Sequence, residues 1–410
     1  MDELIKPHLV NRSWLEDVPL KQLLSVLNVD GEETRIIGGA VRDALLGEVI
    51  GDIDLATTAV PEKVRELSEA AGFKAVDTGL DHGTLTIVVD GVNFEVTTLR
   101  KDVETDGRHA TVIFGRDWVE DAARRDFTMN ALSIDHKGEI HDPIGGYPDL
   151  VNREVKFIGE PQKRIEEDYL RSLRFFRFFA WYGVGRPDRD ALRAVVRTKA
   201  GLETLSVERV WSELKKMLLA RTPERAILWM RTTEVFSTVL PENWGLDQFH
   251  WLINLEGDQN WSPDPLQRLQ AMLRPSEDVI HAVADRLKFS NDERTRLIDW
   301  SEESGKAAGY VDLTVVDLAK VLYRGRRLAV RDALVHEFAK RFNKEEAGAD
   351  RIPALLEFID SWEKPEFPIS GEDLIKAGYA PGPDLGNKLK ELEEKWIESG
   401  FTLNRDDLLS

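Results

Sequence analysis

Hydrophobic and polar positions follow two different periods along the chain, and the change comes near residue 160. Before it, short alternating and β-branched runs bounded by Gly, Pro and Asp predict strands at 34–37, 53–56, 83–89, 93–99 and 131–134. Between them, residues 61–71 predict a helix, since Pro61 suits a first helical turn. The pair Asp90-Gly91 lies between two of the strand runs and is typical of a hairpin turn.

After residue 162 the apolar positions recur every three or four residues, which predicts amphipathic helices. The clearest are 166–181, 189–199, 207–219 and 223–232, and similar segments continue to the end of the chain. The predicted fold class is therefore α+β, with a mixed-sheet head followed by an elongated all-helical remainder.

Composition excludes several classes of protein. The 410 residues contain no cysteine, so neither a disulfide framework nor a thiolate metal site is available. No apolar run reaches the roughly 20 residues that a membrane-spanning helix needs. The first ten residues include Asp2, Glu3 and Lys6 and do not resemble a signal peptide. We therefore predict a cytoplasmic protein without a membrane partner, and we infer no obligate protein partner.

The formal net charge of -19 does not by itself suggest a nucleic-acid partner. Basic residues nevertheless cluster, and local charge decides whether a phosphate backbone docks. One cluster is Arg164, Arg171, Arg174 and Arg177; the second is Arg324, Arg326, Arg327, Arg331, Lys340, Arg341 and Lys344. The alternative for the second cluster is a set of solvated helix faces balanced by nearby acids.

Paired glycines and paired aspartates are the first candidates for chemistry. Gly38 and Gly39 lie between a predicted strand and helix, where backbone amides and a helix N-terminus favour an anion such as phosphate. Asp52 and Asp54 are two apart on a predicted strand, so both carboxylates leave one face. Adjacent carboxylates suit Mg²⁺, which commonly also holds substrate phosphates. The alternative is an exposed polar end of a strand.

Glu95 is a candidate third carboxylate. It points away from the apolar Phe94 and Val96 on another predicted strand. It would complete a site for two-metal, in-line displacement. Equally, it is the ordinary polar face of that strand, and the sequence leaves both interpretations open.

Five motifs in order resemble the class II tRNA nucleotidyltransferase and bacterial poly(A) polymerase family. They are GGAVRD with GDIDLATT, then RRDFTMNAL (124–132), DPIGGYPDL (142–150), EDYLRSLRFFRF (167–178) and ERVWSEL (208–214). A weaker tail pattern, DLIKAGYAPGPDLG (373–386), extends the match. The resemblance implies a polymerase-β-like head over 1–147, a neck with a nucleotide-selecting motif over 148–220, a body over 221–345 and a tRNA-binding tail over 346–410.

The family resemblance also implies an activity. The tRNA 3′-hydroxyl would attack the α-phosphate of CTP or ATP with Mg²⁺ assistance, so that C, C and A are added without a nucleic-acid template. Asp52, Asp54 and Glu95 are then the expected catalytic residues, and Asp52 and Asp54 the metal ligands. The partners would be CTP, ATP and the acceptor and TΨC arms of tRNA.

The fourth motif offers a physical route to nucleotide selection. Asp168, Arg171 and Arg174 are spaced by three, so they are expected on one helical face. A carboxylate accepts from an exocyclic amine and a guanidinium donates to a ring nitrogen, so Asp168 with Arg171 fits cytosine and adenine but not uracil or guanine. The alternative is an ordinary ion pair within the helix.

The remaining candidates follow from the motifs. The full set of expected nucleotide contacts is Gly38, Gly39, Arg42, Asp43, Arg125, Asp126, Asn130, Asp168, Arg171 and Arg174. The expected RNA contacts are Arg177, Arg324, Arg327, Gly382 and Gly386. Which of the head residues touches phosphate and which only braces the head does not follow from the sequence.

The sequence supports the alternatives to CCA addition to different degrees. Poly(A) polymerases of the family carry a basic segment after the aspartates, and residues 79–87 have no such run. Residues 100–115 resemble the loop associated with switching from C to A addition, although His109 and Ala110 depart from the usual pattern. This disfavours CC-only addition and leaves A-only addition open. A catalytically silent RNA-binding relative is disfavoured by intact Asp52 and Asp54.

Overall fold

The computed structural model of the chain describes residues 13–79, 83–105 and 110–410. The chain forms two compact units, Met1–Val239 and Leu240–Ser410. The finer division into head, neck, body and tail stays a prediction. No helix in the described ranges is long and apolar enough to span a membrane.

The first unit contains a mixed seven-stranded sheet in the order β3-β4-β5-β2-β1-β8-β9 and a separate β6-β7 hairpin. The strands are β1 (Thr34–Ile37), β2 (Asp54–Thr57), β3 (Lys74–Gly79), β4 (Thr84–Val89), β5 (Val92–Thr98), β6 (Arg100–Thr105), β7 (Ala110–Phe114), β8 (Ser133–Ile134) and β9 (Ile140–His141). Strands β2 and β5 pair in parallel, whereas the other pairs of this sheet are antiparallel. The predicted mixed-sheet head is confirmed.

Local signals located most strands correctly. The hairpin between β4 and β5 turns at Asp90 and Gly91, whose φ angles are 50° and 83°. Both angles are positive, as a tight two-residue hairpin turn requires. Strand β3 was not predicted, because its side chains are partly or fully exposed and it lacks an apolar alternation.

Helices surround and extend the sheet of the first unit. They are α1 (Val18–Leu27), α2 (Gly39–Leu46), α3 (Pro61–Ala70), α4 (Trp118–Ala123), α5 (Tyr147–Val151), α6 (Pro161–Glu167), α7 (Leu170–Tyr182), α8 (Arg189–Thr198), α9 (Val207–Leu218), α10 (Glu224–Thr232) and α11 (Val235–Val239). Helices α1 and α3 pack together against β4. On α1, Leu20, Leu23 and Leu27 lie on one face and are fully buried, which fixes that helix on the sheet.

The single helix predicted at 166–181 was wrong, because the structure has two helices there. Helix α6 ends at Glu167, and Asp168 is extended with φ -154° and ψ 105° before α7 begins. The Asp168 carboxylate accepts from the backbone amide of Leu170 at 3.1 Å. A short acidic side chain that binds a nearby amide competes with helix continuation. Asp168 therefore precedes the helix that carries Arg171 and Arg174.

Helix α7 is held by an aromatic core. Phe127, from the second motif, lies 4.9 Å from Phe157 and 4.9 Å from Phe178 between ring centroids. Phe175 and Phe176 are fully buried on the same helix. These contacts fix α7 against the segment that follows the sheet, and so they position the polar side chains on the opposite side of the helix.

The second unit is helical throughout. Its helices are α12 (Asp247–Asp258), α13 (Pro265–Gln270), α14 (Glu277–Leu287), α15 (Asn291–Ser304), α16 (Ala307–Tyr310), α17 (Val315–Arg324), α18 (Arg327–Lys344), α19 (Ile352–Ser361), α20 (Gly371–Lys376), α21 (Pro383–Glu398) and α22 (Arg405–Leu409). Helix α18 is central, since α12, α15, α16 and α19 all pack on it.

A buried carboxylate joins three elements of this unit. Asp332 on α18 is fully buried, and it accepts from Gln267 at 2.7 Å, Gln270 at 3.0 Å and Arg296 at 2.8 Å. Removal of one partner from a buried ion pair leaves an uncompensated charge, which typically costs about 3–5 kcal/mol. Asp332 is therefore expected to be essential for the stability of the second unit.

We expect Asp332→Ala to lower the free energy of unfolding by about 3–5 kcal/mol, since Arg296 would keep only Asp264, whose side chain is 33% exposed, and the buried amides of Gln267 and Gln270 would lose their acceptor. Urea unfolding followed by circular dichroism measures this change. Asp312→Ala is the matched control: Asp312 pairs with Arg351 at 3.4 Å, and its side chain is 81% exposed. The control should unfold like the parent protein, and equal midpoints for both variants would contradict the prediction.

Candidate active site

The carboxylates of Asp54 and Glu95 lie on one face of the sheet. Asp54 opens β2 and is the direct partner of Glu95 on the parallel strand β5. Partners in register on adjacent strands direct their side chains to the same face. Asp52 was predicted on the strand, but it lies in the exposed segment before it, because β2 begins at Asp54.

Electrostatics support a cation near these groups. Burial, and then the negative charges of Glu95 and Asp52, raise the pKa of Asp54, while Arg125 opposes the shift. A divalent cation would relieve this repulsion, and carboxylate oxygens are the ligands that Mg²⁺ prefers. The donor set therefore fits a hard divalent metal.

A tighter group of potential ligands lies elsewhere. In the described ranges, only Asp135, Glu139 and His141 bring three ligand atoms within 4.8 Å of one another. The carboxylate of Asp135 accepts from the backbone amides of Lys137 and Glu139, both at 2.9 Å, and from His141 at 3.0 Å. These bonds close the turn between β8 and β9, so the group has a structural explanation.

A cleft of about 420 Å³ collects almost all the predicted nucleotide contacts. Of the predicted nucleotide contacts, Asp43 alone does not line this cleft. Leu170, Phe178 and Arg209 do line it, although they were not predicted. The lining is Gly38, Gly39, Arg42, Arg125, Asp126, Asn130, Asp168, Leu170, Arg171, Arg174, Phe178 and Arg209. The segments that supply these residues are far apart in sequence, and only the fold brings them together.

The glycine turn keeps one wall of the cleft open. Gly38 precedes α2 with φ 69°, a left-handed conformation that favours glycine. A Cβ atom at Gly38 would lie 4.0 Å from Arg125, and one at Gly39 would lie 3.4 Å from Arg42. The turn thus lies between two guanidinium groups at the start of a helix, which suits a phosphate.

Arg42 is braced from behind by Asp43. Its Nε donates to Asp43 at 2.9 Å, and its Nη1 donates to Asn130 at 2.9 Å. The guanidinium also lies 4.1 Å from the ring centre of Tyr182. Asp43 does not line the cleft but orients Arg42, which does. Asp43 is therefore the residue of this pair that braces the head.

Asp126 links the second motif to helix α7. It accepts from Asn130 at 2.9 Å and from Nε of Arg174 at 2.9 Å. Burial opposes ionisation, but the charge of Arg174 and the amide of Asn130 outweigh it and lower the pKa of Asp126. The carboxylate is therefore ionised near neutral pH and holds Arg174 in the cleft wall.

Asp168 and Arg171 face the cleft but do not pair with each other. The Asp168 carboxylate accepts from Arg209 at 2.7 Å. Arg171 donates to the Arg164 carbonyl at 2.8 Å and to Glu167. The ion pair that formed the alternative interpretation is thus absent between these two described residues. Each side chain is instead oriented by a separate neighbour.

Arg209 is the clearest residue that the sequence did not single out. It lies in the fifth motif, ERVWSEL, which was recognised only as a motif. Its partner Asp168 is 41 residues away, so no local spacing indicated the contact. The position of Arg209 inside a motif was the only available signal.

The predicted RNA contacts are differently placed. Arg177 donates to Glu213 at 2.6 Å, an ion pair that favours a bracing role. In the second basic cluster, most side chains meet acids: Arg324 with Glu394 and Glu398, Arg326 with Asp299, Arg331 with Asp360, and Arg341 with Glu337. Arg327 is exposed and donates to the Trp362 carbonyl at 3.1 Å. For the second basic cluster, these contacts favour the alternative interpretation, in which its basic residues lie on solvated helix faces and are balanced by nearby acids.

Gly382 and Gly386 are exposed at the start of α21, which begins at Pro383. Of the loop associated with nucleotide switching, residues 106–109, including His109, lie outside the described residues.

Comparison with family models gives two matches. Residues 34–156 match the poly(A) polymerase head domain. Residues 186–244 match a segment described as a probable RNA- and SrmB-binding site of polymerase A. Together they cover the sheet, the glycine turn, the carboxylates and part of the helical region.

Full-length relatives are also similar. The mitochondrial CCA tRNA nucleotidyltransferase 1 of Mus musculus is 37% identical, over 95% of this chain and 89% of its own. The CCA-adding enzyme of Limosilactobacillus fermentum is 30% identical, over 95% of both chains. Among solved structures, the Bacillus stearothermophilus CCA-adding enzyme in complex with CTP has a TM-score of 0.75 and 28% identity, over 93% of this chain and 92% of its own.

Proposed function

The chain belongs to the CCA-adding tRNA nucleotidyltransferase family, and from this premise we propose that it adds C, C and A to the 3′ end of tRNA. The substrates are CTP, ATP and a tRNA that lacks its terminal CCA. Relatives of known structure include a CCA-adding enzyme in complex with CTP. The reaction transfers a nucleotidyl group and releases pyrophosphate.

The observation that carries this proposal is the position of Arg125. Arg125 lines the cleft and also acts electrostatically on Asp54. The nucleotide cleft and the carboxylate face are therefore neighbouring parts of one site. A triphosphate in the cleft would place its reacting phosphorus towards the carboxylates.

We assign the base-reading step to Asp168 and Arg171. Asp168 accepts from the amino group of cytosine or adenine, and Arg171 donates to the adjacent ring nitrogen. Arg209 acts as a positioning residue because it fixes the Asp168 carboxylate. Since cytosine and adenine share this edge, one pair of side chains serves both additions.

We assign the phosphates and the sugar of the nucleotide to the part of the cleft formed by the glycine turn and the second motif. Arg42, Arg125 and the amides at Gly38 and Gly39 provide positive potential for the triphosphate. Asn130 and Asp126 are used to hold Arg42 and Arg174 in place. The binding energy of these groups orients the α-phosphate for attack by the tRNA 3′-hydroxyl.

We propose that Asp52 and Asp54 hold Mg²⁺, with Glu95 as an additional acidic group on the same face. When bound, such a metal supplies positive charge to the attacking and leaving oxygens. The support is the acidic donor set and the raised pKa of Asp54, caused by burial and by its acidic neighbours. Asp52, Asp54 and Glu95 would hold the positive charge of the metal beside the nucleotide cleft.

We propose a tRNA-binding surface in the second unit. The start of α21 at Gly382 and Gly386 presents exposed backbone, which suits an RNA phosphate. Arg324 is exposed but paired with Glu394 and Glu398, so we assign it no RNA contact, whereas the exposed Arg327 is kept as a candidate. The cytoplasmic location stays a prediction, since the relative from Mus musculus is named as mitochondrial.

Incubation with defined tRNA ends tests the proposed function. The protein is mixed with Mg²⁺ and with CTP, ATP or both, on tRNA that ends at the discriminator base and on tRNA that ends in CC. We expect two C residues and then one A on the first substrate, and no reaction when Mg²⁺ is removed by chelation. Addition of A only to the CC end would instead identify an A-adding enzyme, and long A tracts on unrelated RNA would identify a poly(A) polymerase.

A further inference from the structure

The base-reading and phosphate-binding parts of the cleft are built on different segments of the chain. Arg171 lies on α7, whereas Arg125 follows the end of α4. Transfer needs these two parts in a fixed relation, because the α-phosphate has to be aligned for attack while the base is held. One side chain that does not line the cleft, that of Arg164 on α6, connects the two segments.

The first connection of Arg164 is to the backbone of the second motif. Its Nη2 donates to the carbonyl oxygens of Arg124 and Arg125, both at 2.6 Å. These carbonyls directly follow α4, which ends at Ala123. Carbonyls at the end of a helix lack partners within the helix, and a cation there is also favoured by the helix dipole. Arg164, whose side chain is 13% exposed, therefore fixes the backbone from which Arg125 reaches the cleft.

The second connection of Arg164 is to the base-reading side. Its Nη1 donates to Oε2 of Glu167, and the same oxygen accepts from Nη1 of Arg171. Arg171 also donates to the backbone carbonyl of Arg164 at 2.8 Å. Since one carboxylate oxygen holds both guanidinium groups, a displacement of Arg164 is transmitted to Arg171.

Each cleft residue also has a partner of its own. Asp121 accepts from Arg125 at 3.1 Å, and Glu167 accepts from Arg171. Removal of the Arg164 side chain would therefore leave both parts of the cleft with their ligand-binding groups and would remove the connection between them. The expected consequence is a loss of alignment in the transition state, with little loss of nucleotide binding.

We propose that Arg164 is a positioning residue of the nucleotidyl transfer, an inference that rests on the proposed function. It acts through Arg125 and Arg171. When Arg171 donates to the ring nitrogen of cytosine or adenine, the connection through Arg164 holds the triphosphate in register with Arg125, beside Asp54. A matching base therefore accelerates the transfer step itself, in addition to being bound.

Kinetics of Arg164→Ala with CTP and UTP test this coupling on tRNA that ends at the discriminator base. With CTP, we expect kcat to fall by at least about tenfold and KM to change by less than about threefold, because alignment is lost while the binding groups remain. With UTP, kcat should change by less than about threefold, since uracil presents an N–H to Arg171 and gains nothing from the connection. A purely structural role would lower both rates alike, so an equal loss with the two nucleotides, or no loss with CTP, would refute the proposal.

The neighbouring residue on α6 provides the control. Lys163 pairs with Glu160 at 2.8 Å and its side chain is 74% exposed, so Lys163→Ala should keep the parent kcat and KM with both nucleotides. If Arg164→Ala does not fold, Arg164→Lys takes its place, because it keeps the charge and loses the planar fork. It should lower kcat with CTP by at least about threefold and leave the rate with UTP unchanged. A kcat equal to that of the parent would contradict the role of Arg164.

A double-mutant cycle tests the route through Glu167. If Arg164 acts through this carboxylate, the variant that carries both Arg164→Ala and Glu167→Gln should lose about as much kcat with CTP as the more impaired single variant. Independent groups would instead give a loss equal to the product of the two single losses. That result would refute the coupling.

The parent protein in the same assay reports separately on the proposed function. A parent that adds neither C nor A contradicts that function and, with it, the role of Arg164. A parent that adds C, together with an unaffected Arg164→Ala variant, contradicts only the role of Arg164. If the parent adds A alone, ATP and GTP on tRNA ending in CC give the same comparison, because guanine also presents an N–H to Arg171.

Discussion

Asp54→Asn is expected to reduce the transfer of CMP and AMP to tRNA by at least about a thousandfold. A factor of a thousand corresponds to about 4 kcal/mol of transition-state stabilisation, which is the scale expected when a metal-holding carboxylate is lost. Asp54 is directly paired with Glu95 across parallel strands, and its pKa is raised by burial and by its acidic neighbours. The amide keeps the size of the side chain but removes its charge.

The measurement is the initial rate of nucleotide incorporation on tRNA ending at the discriminator base, with Mg²⁺ varied. Asp77→Asn is a matched control on the same sheet, since Asp77 lies on the outer strand β3 and pairs with Arg65. It should leave the rate unchanged. An Asp54→Asn rate within tenfold of the parent would exclude Asp54 from the catalytic set.

Glu95→Gln in the same assay addresses the question that the sequence left open. If Glu95 completes the metal site, we expect a loss similar to that of Asp54→Asn and a higher Mg²⁺ requirement. If Glu95 acts only through its charge on Asp54, the loss should stay below about tenfold, since an interaction of about 1.4 kcal/mol accounts for it. The two results identify different roles.

The second large effect concerns nucleotide selection. Replacement of Asp168 and Arg171 together by Ala is expected to abolish discrimination between C or A and U or G. Each mismatched buried contact costs about 1–3 kcal/mol, so two contacts account for at least about thirtyfold selectivity. Each side chain is held by its own partner, Arg209 for Asp168 and Glu167 for Arg171, so the pair is oriented before the base arrives.

The ratio of kcat/KM values for CTP, ATP, UTP and GTP measures the selectivity. Arg209→Ala should give an intermediate loss, because Asp168 remains but is no longer fixed. Arg193→Ala is the control: Arg193 forms an exposed pair with Asp190 at 3.3 Å on α8, and its removal should leave the ratios unchanged. Preserved discrimination against U and G in the double variant would refute the assignment.

Much of the fold was predictable because its signals are local. Alternation and β-branched runs located β1, β2, β4 and β5 within one or two residues, and the pair Asp90-Gly91 located the hairpin. Helices α8 to α10 followed from apolar periodicity. Strand β3 was missed because a partly exposed strand has no apolar alternation, and the break at Asp168 was missed because one side-chain bond outweighed the helical pattern.

The sequence by itself determined most of the elements, the motifs and the family, because strand and helix periods and motif order are properties of neighbouring residues. Tertiary structure alone decided which charged residues line the cleft and which brace it. Asp126 holds Arg174, 48 residues away, and Arg177 is paired with Glu213, 36 residues away. Asp54 and Glu95 become one acidic face only through the register of two parallel strands. Ion pairs and strand registers join distant segments, and local spacing contains no information about them.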